Sequence, residues 1–128
     1  MNQTLRVGIA GYGVVGKRRR KFIDQNPLLQ TIAVCDQKLL DGKLDEGVKS
    51  YSSPLKMLEE ELDVLFVSLP NYLAPEVTIA GLRKGCHVFC EKPPGRNLND
   101  ILNVIQVERQ FPQSKLKYGF NHRYHNSV

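Results

Sequence analysis

Residues 5–16 read Leu-Arg-Val-Gly-Ile-Ala-Gly-Tyr-Gly-Val-Val-Gly, and this stretch decides the fold. Its first six residues form a short apolar run that predicts a strand, whereas residues 14–25 repeat apolar side chains at helical spacing. The pattern Gly-x-Gly-x-x-Gly at 11–16 lies between them and predicts a tight strand-to-helix turn. A second apolar run at residues 31–35 completes a β-α-β unit of about 30 residues. Parallel strands joined by a helix are typical of α/β sheets, so the chain is predicted to be an α/β protein.

The same two patterns alternate along the rest of the chain. Further strands are predicted at residues 63–69, 86–90 and 115–120, and further helices after Ser53-Pro54 and at residues 75–84 and 97–111. Residues 36–49 are polar and rich in turn signals, so they are predicted to form a loop with a weak helical turn. This order predicts a doubly wound parallel sheet of five strands in the order 3-2-1-4-5.

Helical spacing also predicts which side chains face the sheet. The predicted inner faces carry Val15, Arg19 and Phe22 on the first helix, Leu55, Leu58 and Leu62 on the second, and Leu98, Ile101, Leu102 and Ile105 on the longest. Val104, Val107 and Phe111 are predicted to point away from that last stripe.

Composition indicates one folded domain and excludes several classes of protein. The chain has 128 residues, 41% of them hydrophobic and 24% charged, which is the balance of a globular domain rather than of a disordered chain. No window approaches the roughly 18 apolar residues of a membrane span, and the N-terminal residues lack the pattern of a signal peptide. A cytoplasmic protein without a membrane partner is therefore predicted. The three cysteines include no Cys-x-x-Cys pair, so we predict buried free thiols and no metal site.

A basic run at residues 17–21, Lys-Arg-Arg-Arg-Lys, raises the possibility of nucleic-acid binding within a net charge of +5. Five consecutive helical residues cover more than a full turn, so they form no single basic stripe. The favoured interpretation is a solvated helix face, with Arg19 turned inward and its stem packed on the sheet. Because the chain also lacks a DNA- or RNA-binding motif, no nucleic-acid partner is predicted.

The glycine-rich turn and a following acid predict a dinucleotide site. Gly11 allows the tight turn, Gly13 lets a pyrophosphate approach the backbone, and Gly16 lets the helix pack closely on the strand. Asp36 ends the second strand about 20 residues later, where a carboxylate accepts hydrogen bonds from a ribose diol and repels a 2′-phosphate. NAD is therefore the predicted cofactor, with NADP possible because Lys38 lies nearby. The alternative is a glycine-rich turn that binds no nucleotide.

A lysine follows the strand at residues 86–90. In an open α/β sheet, ligands bind beyond the carboxyl ends of the strands, which places Lys92 near a cofactor. A lysine there can donate a hydrogen bond to a substrate hydroxyl and stabilise a developing oxyanion. An ordinary surface lysine is the equally weighted alternative.

The chain resembles the glucose–fructose oxidoreductase/inositol dehydrogenase (GFO/IDH/MocA) family of nicotinamide-dependent oxidoreductases over nearly its whole length. The resemblance is carried by the segments at residues 7–16, 33–36, 69–73, 80–93 and 119–124, of which Gly-Cys-His-Val-Phe-Cys-Glu-Lys-Pro at 85–93 is the most specific. Arg19 and Ala74 stand where the family often has histidine. The resemblance implies a Rossmann fold and a cis peptide bond between Lys92 and Pro93.

The resemblance also completes the set of predicted site residues. Lys92 is the predicted catalytic residue, and Lys92 and Arg123 are predicted to contact substrate. The predicted cofactor-binding residues are Gly11, Tyr12, Gly13, Val14, Val15, Gly16, Asp36, Leu69, Pro70, Asn71, Glu91, Lys92 and Asn121.

Family resemblance further implies a second, substrate-binding domain, and this chain is expected to be the part of a longer enzyme that precedes it. Residues 1–120 are predicted to form the dinucleotide-binding domain, and residues 121–128 the start of the connection to that second domain. The predicted function is the NAD(P)-binding domain of a homo-oligomeric oxidoreductase that transfers hydride between nicotinamide and a sugar-like or nucleotide-sugar alcohol, inactive as this chain alone. The alternative is a stand-alone NAD-binding sensor without catalysis, which has no evident need for Lys92.

Overall fold

A parallel sheet forms the centre of the fold. In the computed structural model, which describes residues 4–44 and 46–119, the strands are β1 (Leu5–Ala10), β2 (Leu29–Cys35), β3 (Gly42–Lys43), β4 (Lys49–Tyr51), β5 (Val64–Val67), β6 (His87–Glu91) and β7 (Leu116–Gly119). Their spatial order is β3-β4-β2-β1-β5-β6-β7. Every neighbouring pair is parallel except β3 and β4, which are antiparallel. The predicted α/β class with a parallel sheet is confirmed.

Helices cover both faces of the sheet. They are α1 (Val14–Gln25), α2 (Pro54–Met57), α3 (Ala74–Arg83) and α4 (Leu98–Gln110). Successive residues of a strand point to opposite faces, and β1 shows this directly. Its Val7 and Ile9 pack with Ile23 of α1, whereas Ala10 belongs to the cluster formed with the buried residues of α2, α3 and α4. Because the helices cover the two faces of the sheet, the carboxyl ends of its strands form an uncovered edge.

The predicted five-strand order 3-2-1-4-5 is wrong. The five predicted strands correspond to β1, β2, β5, β6 and β7, and they occur in the order 2-1-3-4-5. The place beside β2 that the prediction gave to the third strand is occupied by β4, which lies in a region partly predicted to be loop. Its sequence, Lys-Ser-Tyr, is short and has no apolar alternation, so no pattern in it predicts a strand. With β4 counted, the six parallel strands follow the order 3-2-1-4-5-6, with the short antiparallel β3 beyond it.

The predicted inner face of α1 is wrong for Val15 and Phe22, whereas Arg19 turns towards the sheet as predicted and packs on the Phe89 ring of β6. Gly16 and Ile23 are buried in α1, whereas Phe22 is 60% exposed and Val15 is exposed too. A Cβ at Gly16 would overlap the carbonyl oxygen of Gly11. The helix therefore turns its glycine side to the strand, because only that side allows so close an approach.

The inner face of α4 differs from the prediction in the same way. Val104 and Val107 are buried, whereas Leu98 is 71% exposed and Leu102 is exposed as well. Apolar residues occupy two faces of this helix, so their spacing alone does not choose between them. Asp100 lies on the buried side with Val104, and its carboxylate accepts a hydrogen bond from the Arg96 backbone N–H at 2.8 Å. Leu58, the C-cap of α2, is buried as predicted and Leu62 packs against the same core cluster, but Leu55 of α2 is exposed.

The cysteine prediction is confirmed. Cys35, Cys86 and Cys90 are free and buried. Burial raises the pKa of the Cys35 and Cys86 thiols to about 11, so both are protonated at neutral pH. In the part of the chain that the structure describes, no helix is long and apolar enough to cross a membrane.

Candidate functional site

The turn between β1 and α1 has the geometry that its glycines predict. Gly11 has a φ of +96°, a conformation that other residues rarely adopt. A Cβ at Gly11 would overlap the carbonyl oxygen of Ser68, the residue that follows β5. The turn is thus packed closely against both the neighbouring strand end and its own helix.

Gly13 has the opposite environment. No heavy atom of the described residues lies within 4 Å of the position that its Cβ would take. Gly13 is the N-cap of α1, and neither a side-chain cap nor an acidic residue in the first turn is present among the described residues. The space beside this helix start is therefore open, and the first N–H groups of α1, which have no partner within the helix, carry the positive end of the helix dipole. Such a helix start fits a pyrophosphate.

Asp36 lies across the turn from these N–H groups. Its Oδ2 accepts a hydrogen bond from the Tyr12 backbone N–H at 3.0 Å, and its Oδ1 accepts one from the Lys38 backbone N–H at 3.0 Å. A carboxylate offers about four acceptor positions, so positions remain for the two hydroxyls of a ribose. The Tyr12 hydroxyl accepts a hydrogen bond of 2.8 Å from Arg20 Nη1, which fixes the ring beside the turn.

A cleft of about 290 Å³ joins these groups at the carboxyl ends of β1, β2 and β5. It is lined by Gly11, Gly13, Cys35, Asp36, Gln37, Ser52, Pro54, Ser68, Leu69, Pro70, Tyr72 and Leu73. Ser68 lines this cleft, and its buried hydroxyl has no hydrogen-bond partner within the described ranges. Larger clefts of about 440 and 420 Å³ contain none of the predicted cofactor-binding residues.

Five predicted residues meet in this cleft, and several lining residues were not predicted. Gly11, Gly13, Asp36, Leu69 and Pro70 are brought together as expected. Those missed are Cys35, Gln37, Ser52, Pro54, Ser68, Tyr72 and Leu73. Ser52 and Pro54 follow β4, so recognition of that strand would have placed them at the carboxyl edge of the sheet.

The end of β6 lies outside this cleft. Lys92 is exposed and follows β6, which is the next strand after β5, so its position is on the same open edge of the sheet. The bond between Lys92 and Pro93 is cis, which confirms that prediction.

The predicted site residues Asn121 and Arg123 lie outside the described residues. No group of three or more potential metal-ligating side chains occurs within residues 4–44 and 46–119.

Part of the basic run of α1 forms ion pairs within the protein. Arg18 and Lys21 are exposed as predicted, but Arg20 is largely buried and forms ion pairs with Asp24 at 3.1 Å and Glu46 at 2.6 Å. Arg19 forms an ion pair with Glu91 at the end of β6. The run is therefore not a uniform solvated face.

Comparison with known proteins agrees with this geometry. Residues 5–115 match the family model GFO_IDH_MocA, described as an oxidoreductase family with an NAD-binding Rossmann fold. The chain belongs to this oxidoreductase family. The NAD-binding Rossmann fold predicted from the sequence is therefore the fold of this family.

Members of the family with assigned activities resemble the chain along most of its length. The chain is 33% identical over 126 residues to D-glucoside 3-dehydrogenase of Escherichia coli, an alignment that covers 94% of this chain and 36% of the relative. It is 26% identical over 130 residues to inositol 2-dehydrogenase of Salmonella typhimurium, covering 94% of this chain and 38% of the relative. The chain thus spans less than two fifths of the length of these relatives.

A solved structure from the family shows the same fold. Scyllo-inositol dehydrogenase from Lactobacillus casei, solved with bound NAD(H) and scyllo-inositol, superposes with a TM-score of 0.83 at 25% identity. The match covers 98% of this chain and 38% of that one.

Proposed function

We propose that this chain is the NAD-binding domain of a longer dehydrogenase that moves a hydride between nicotinamide and an alcohol carbon of a sugar-like or nucleotide-sugar substrate. The observation that carries the proposal is the open backbone at Gly13, which faces the same cleft as the Asp36 carboxylate. The names of the relatives, inositol and glucoside dehydrogenases, support a polyol or sugar as the substrate class.

Each part of the site then has a role. The N–H groups after Gly13 hold the pyrophosphate, and Asp36 holds the adenosine ribose, with Tyr12, Val14 and Val15 beside them. On the nicotinamide half we place Leu69, Pro70, Asn71, Glu91, Lys92 and Asn121. The nicotinamide supplies the hydride acceptor or donor. Lys92 donates a hydrogen bond to the oxygen of the reacting hydroxyl and stabilises the negative charge that develops on that oxygen as its proton leaves, and Arg123 contacts substrate.

The proposal extends to the organisation of the whole protein. Residues 1–120 form the dinucleotide-binding domain, and residues 121–128 begin the connection to a substrate domain in a homo-oligomeric enzyme. The chain by itself then binds NAD without turning over substrate, because the second domain supplies the substrate contacts and excludes water from the reacting atoms.

Calorimetric titration of NAD into this chain tests the proposal. We expect saturable one-to-one binding that is weak, with a Kd of about 0.1–1 mM, because only part of the cofactor is enclosed. Adenosine diphosphate serves as a second probe, since it carries the half of the cofactor held by the glycine-rich turn and Asp36. Absence of saturable binding of either nucleotide would contradict the assignment.

Lys92→Ala in the longer enzyme is expected to lower kcat about tenfold, the effect of losing one charge-assisted hydrogen bond to the reacting oxygen. The Kd for NAD is expected to stay within about twofold, because the lysine acts on the substrate more than on the cofactor. Lys21→Ala, a change at an exposed lysine of α1, is the matched control. A fully active Lys92→Ala enzyme would show that this lysine is an ordinary surface residue.

A further inference from the structure

Arg19 links the helix of the glycine-rich turn to the end of β6. Its guanidinium forms an ion pair with Glu91 through Nη2, and its Nε donates a hydrogen bond to Glu91 Oε1. The guanidinium carbon also lies 5.0 Å from the ring centroid of Phe89, two residues earlier on β6. The Phe89 ring and the Glu91 carboxylate thus both fix the position of the guanidinium, because the cation–π contact adds to the ion pair.

Glu91 is confined from its other side as well. In the sheet register it is paired with Gly119 of β7, and a Cβ at Gly119 would lie 2.7 Å from Glu91 Oε2. The Glu91 side chain is only 12% exposed, so its charge depends on the Arg19 guanidinium. Without Arg19, this largely buried carboxylate loses its charge partner and must move towards solvent, which disturbs the strand end that carries Lys92.

The position of this ion pair in the sheet indicates which half of the cofactor it affects. A dinucleotide lies across the strand ends of a doubly wound sheet, with its two halves on either side of the point where the strand order reverses. Asp36, after β2, marks one half. Glu91 and Lys92, after β6, lie on the other side of β1.

We infer that Arg19 is a positioning residue for the nicotinamide half of the cofactor, because it fixes Glu91 and, through it, the Lys92 backbone. This inference rests on the proposed function. It separates the two halves of the site: Arg19 affects binding of the nicotinamide riboside, whereas the glycine-rich turn and Asp36 bind the adenosine half without it.

The experiment compares NAD with adenosine diphosphate, which lacks the nicotinamide riboside, on the full chain. We expect Arg19→Met to weaken NAD binding about tenfold and to leave the Kd for adenosine diphosphate within about twofold. Arg19→Lys keeps the charge without the planar fork and is expected to recover part of the loss. Arg18→Met removes a neighbouring, exposed arginine of the same helix and is the matched control, with no change expected for either nucleotide.

A double variant tests whether Arg19 acts through Glu91. Glu91→Gln alone is expected to give the same NAD-selective loss, and Arg19→Met combined with Glu91→Gln is expected to be no worse than either change. Additive losses would overturn the inference. If Arg19→Met does not fold, as judged by thermal melting, Arg19→Lys carries the test, because it keeps the charge but loses the planar fork, and a smaller NAD-selective loss is expected.

Failure of the inference and failure of the proposed function give different results. If the unmodified chain binds neither nucleotide, the proposed function fails. If it binds both, but Arg19→Met weakens both equally or neither, the function stands and the positioning role is overturned. Equal affinity of the unmodified chain for NAD and adenosine diphosphate would also overturn it, since no nicotinamide half would then be held.

Discussion

Gly16→Ala should destabilise the chain by about 3 kcal/mol or more, at or above the top of the usual range for overpacked sites. The added methyl would overlap the carbonyl oxygen of Gly11, which is backbone and does not rotate away like a side-chain end. The turn has no room to yield, because Gly11 is itself packed against the Ser68 carbonyl and holds a φ of +96°. Urea denaturation measures the loss as a lower midpoint at an unchanged m value.

Gly13→Ala is the matched control for this prediction. Its methyl would project into open space, and its φ of −86° suits any residue, so the cost in stability is expected to stay below about 1 kcal/mol. The same methyl lies where we place the pyrophosphate, so weaker NAD binding is expected from a chain that still folds. A Gly16→Ala chain as stable as the original would mean that α1 does not approach β1 as closely as described. Unchanged NAD binding by Gly13→Ala would show that the pyrophosphate does not bind at this turn.

These two glycines show why part of the fold could be predicted from sequence. Gly11, Gly13 and Gly16 are required by backbone geometry within a few residues, and such local requirements are visible in the sequence. The β4 strand has no comparable signature. Its residues, Lys49–Tyr51, become a strand because β2 offers parallel partners, Ala33 to Lys49 and Cys35 to Tyr51, and these are long-range contacts.

Helix orientation was predicted poorly for a related reason. On α1, the sequence shows an apolar stripe through Val15 and Phe22, but the packing of Gly16 against the strand turns that stripe outward. On α4, a hydrogen-bonded Asp100 lies on the buried side with Val104. On α1 a close backbone contact outweighs the apolar pattern, and on α4 two apolar faces compete, so only packing against the rest of the protein selects one.

The candidate site was predicted where it depends on short motifs and missed where it depends on strand ends. Asp36 and the turn were found because their separation along the chain is characteristic of a dinucleotide site. Ser52 was missed because it lines the cleft directly after β4, a strand that the sequence did not predict. The Arg19 ion pair with Glu91 joins residues far apart in sequence, and no local pattern indicates such a contact.

Asp36→Ala is expected to change the preference between NAD and NADP by roughly a hundredfold. The substitution removes the carboxylate that we pair with the ribose diol, so NAD binding should weaken about tenfold. It also removes the charge that repels a 2′-phosphate, and Lys38, two residues further along, leaves a positive charge nearby, so NADP binding should strengthen about tenfold. Calorimetric titrations with NAD and NADP measure the ratio of the two Kd values. Both are made at the same ionic strength, so that salt screens the charges equally in the two titrations.

Two further variants make the Asp36 result specific. Asp36→Asn keeps the size of the side chain and one oxygen for the N–H groups of Tyr12 or Lys38, so it removes the charge while preserving much of the turn. It is expected to relieve the repulsion of NADP with a smaller loss of NAD affinity. Glu59→Ala removes an exposed negative charge after α2 and should leave the ratio unchanged. Tighter binding of NADP than of NAD by the unmodified chain would refute the role of Asp36, because the carboxylate would then face a phosphate without excluding it.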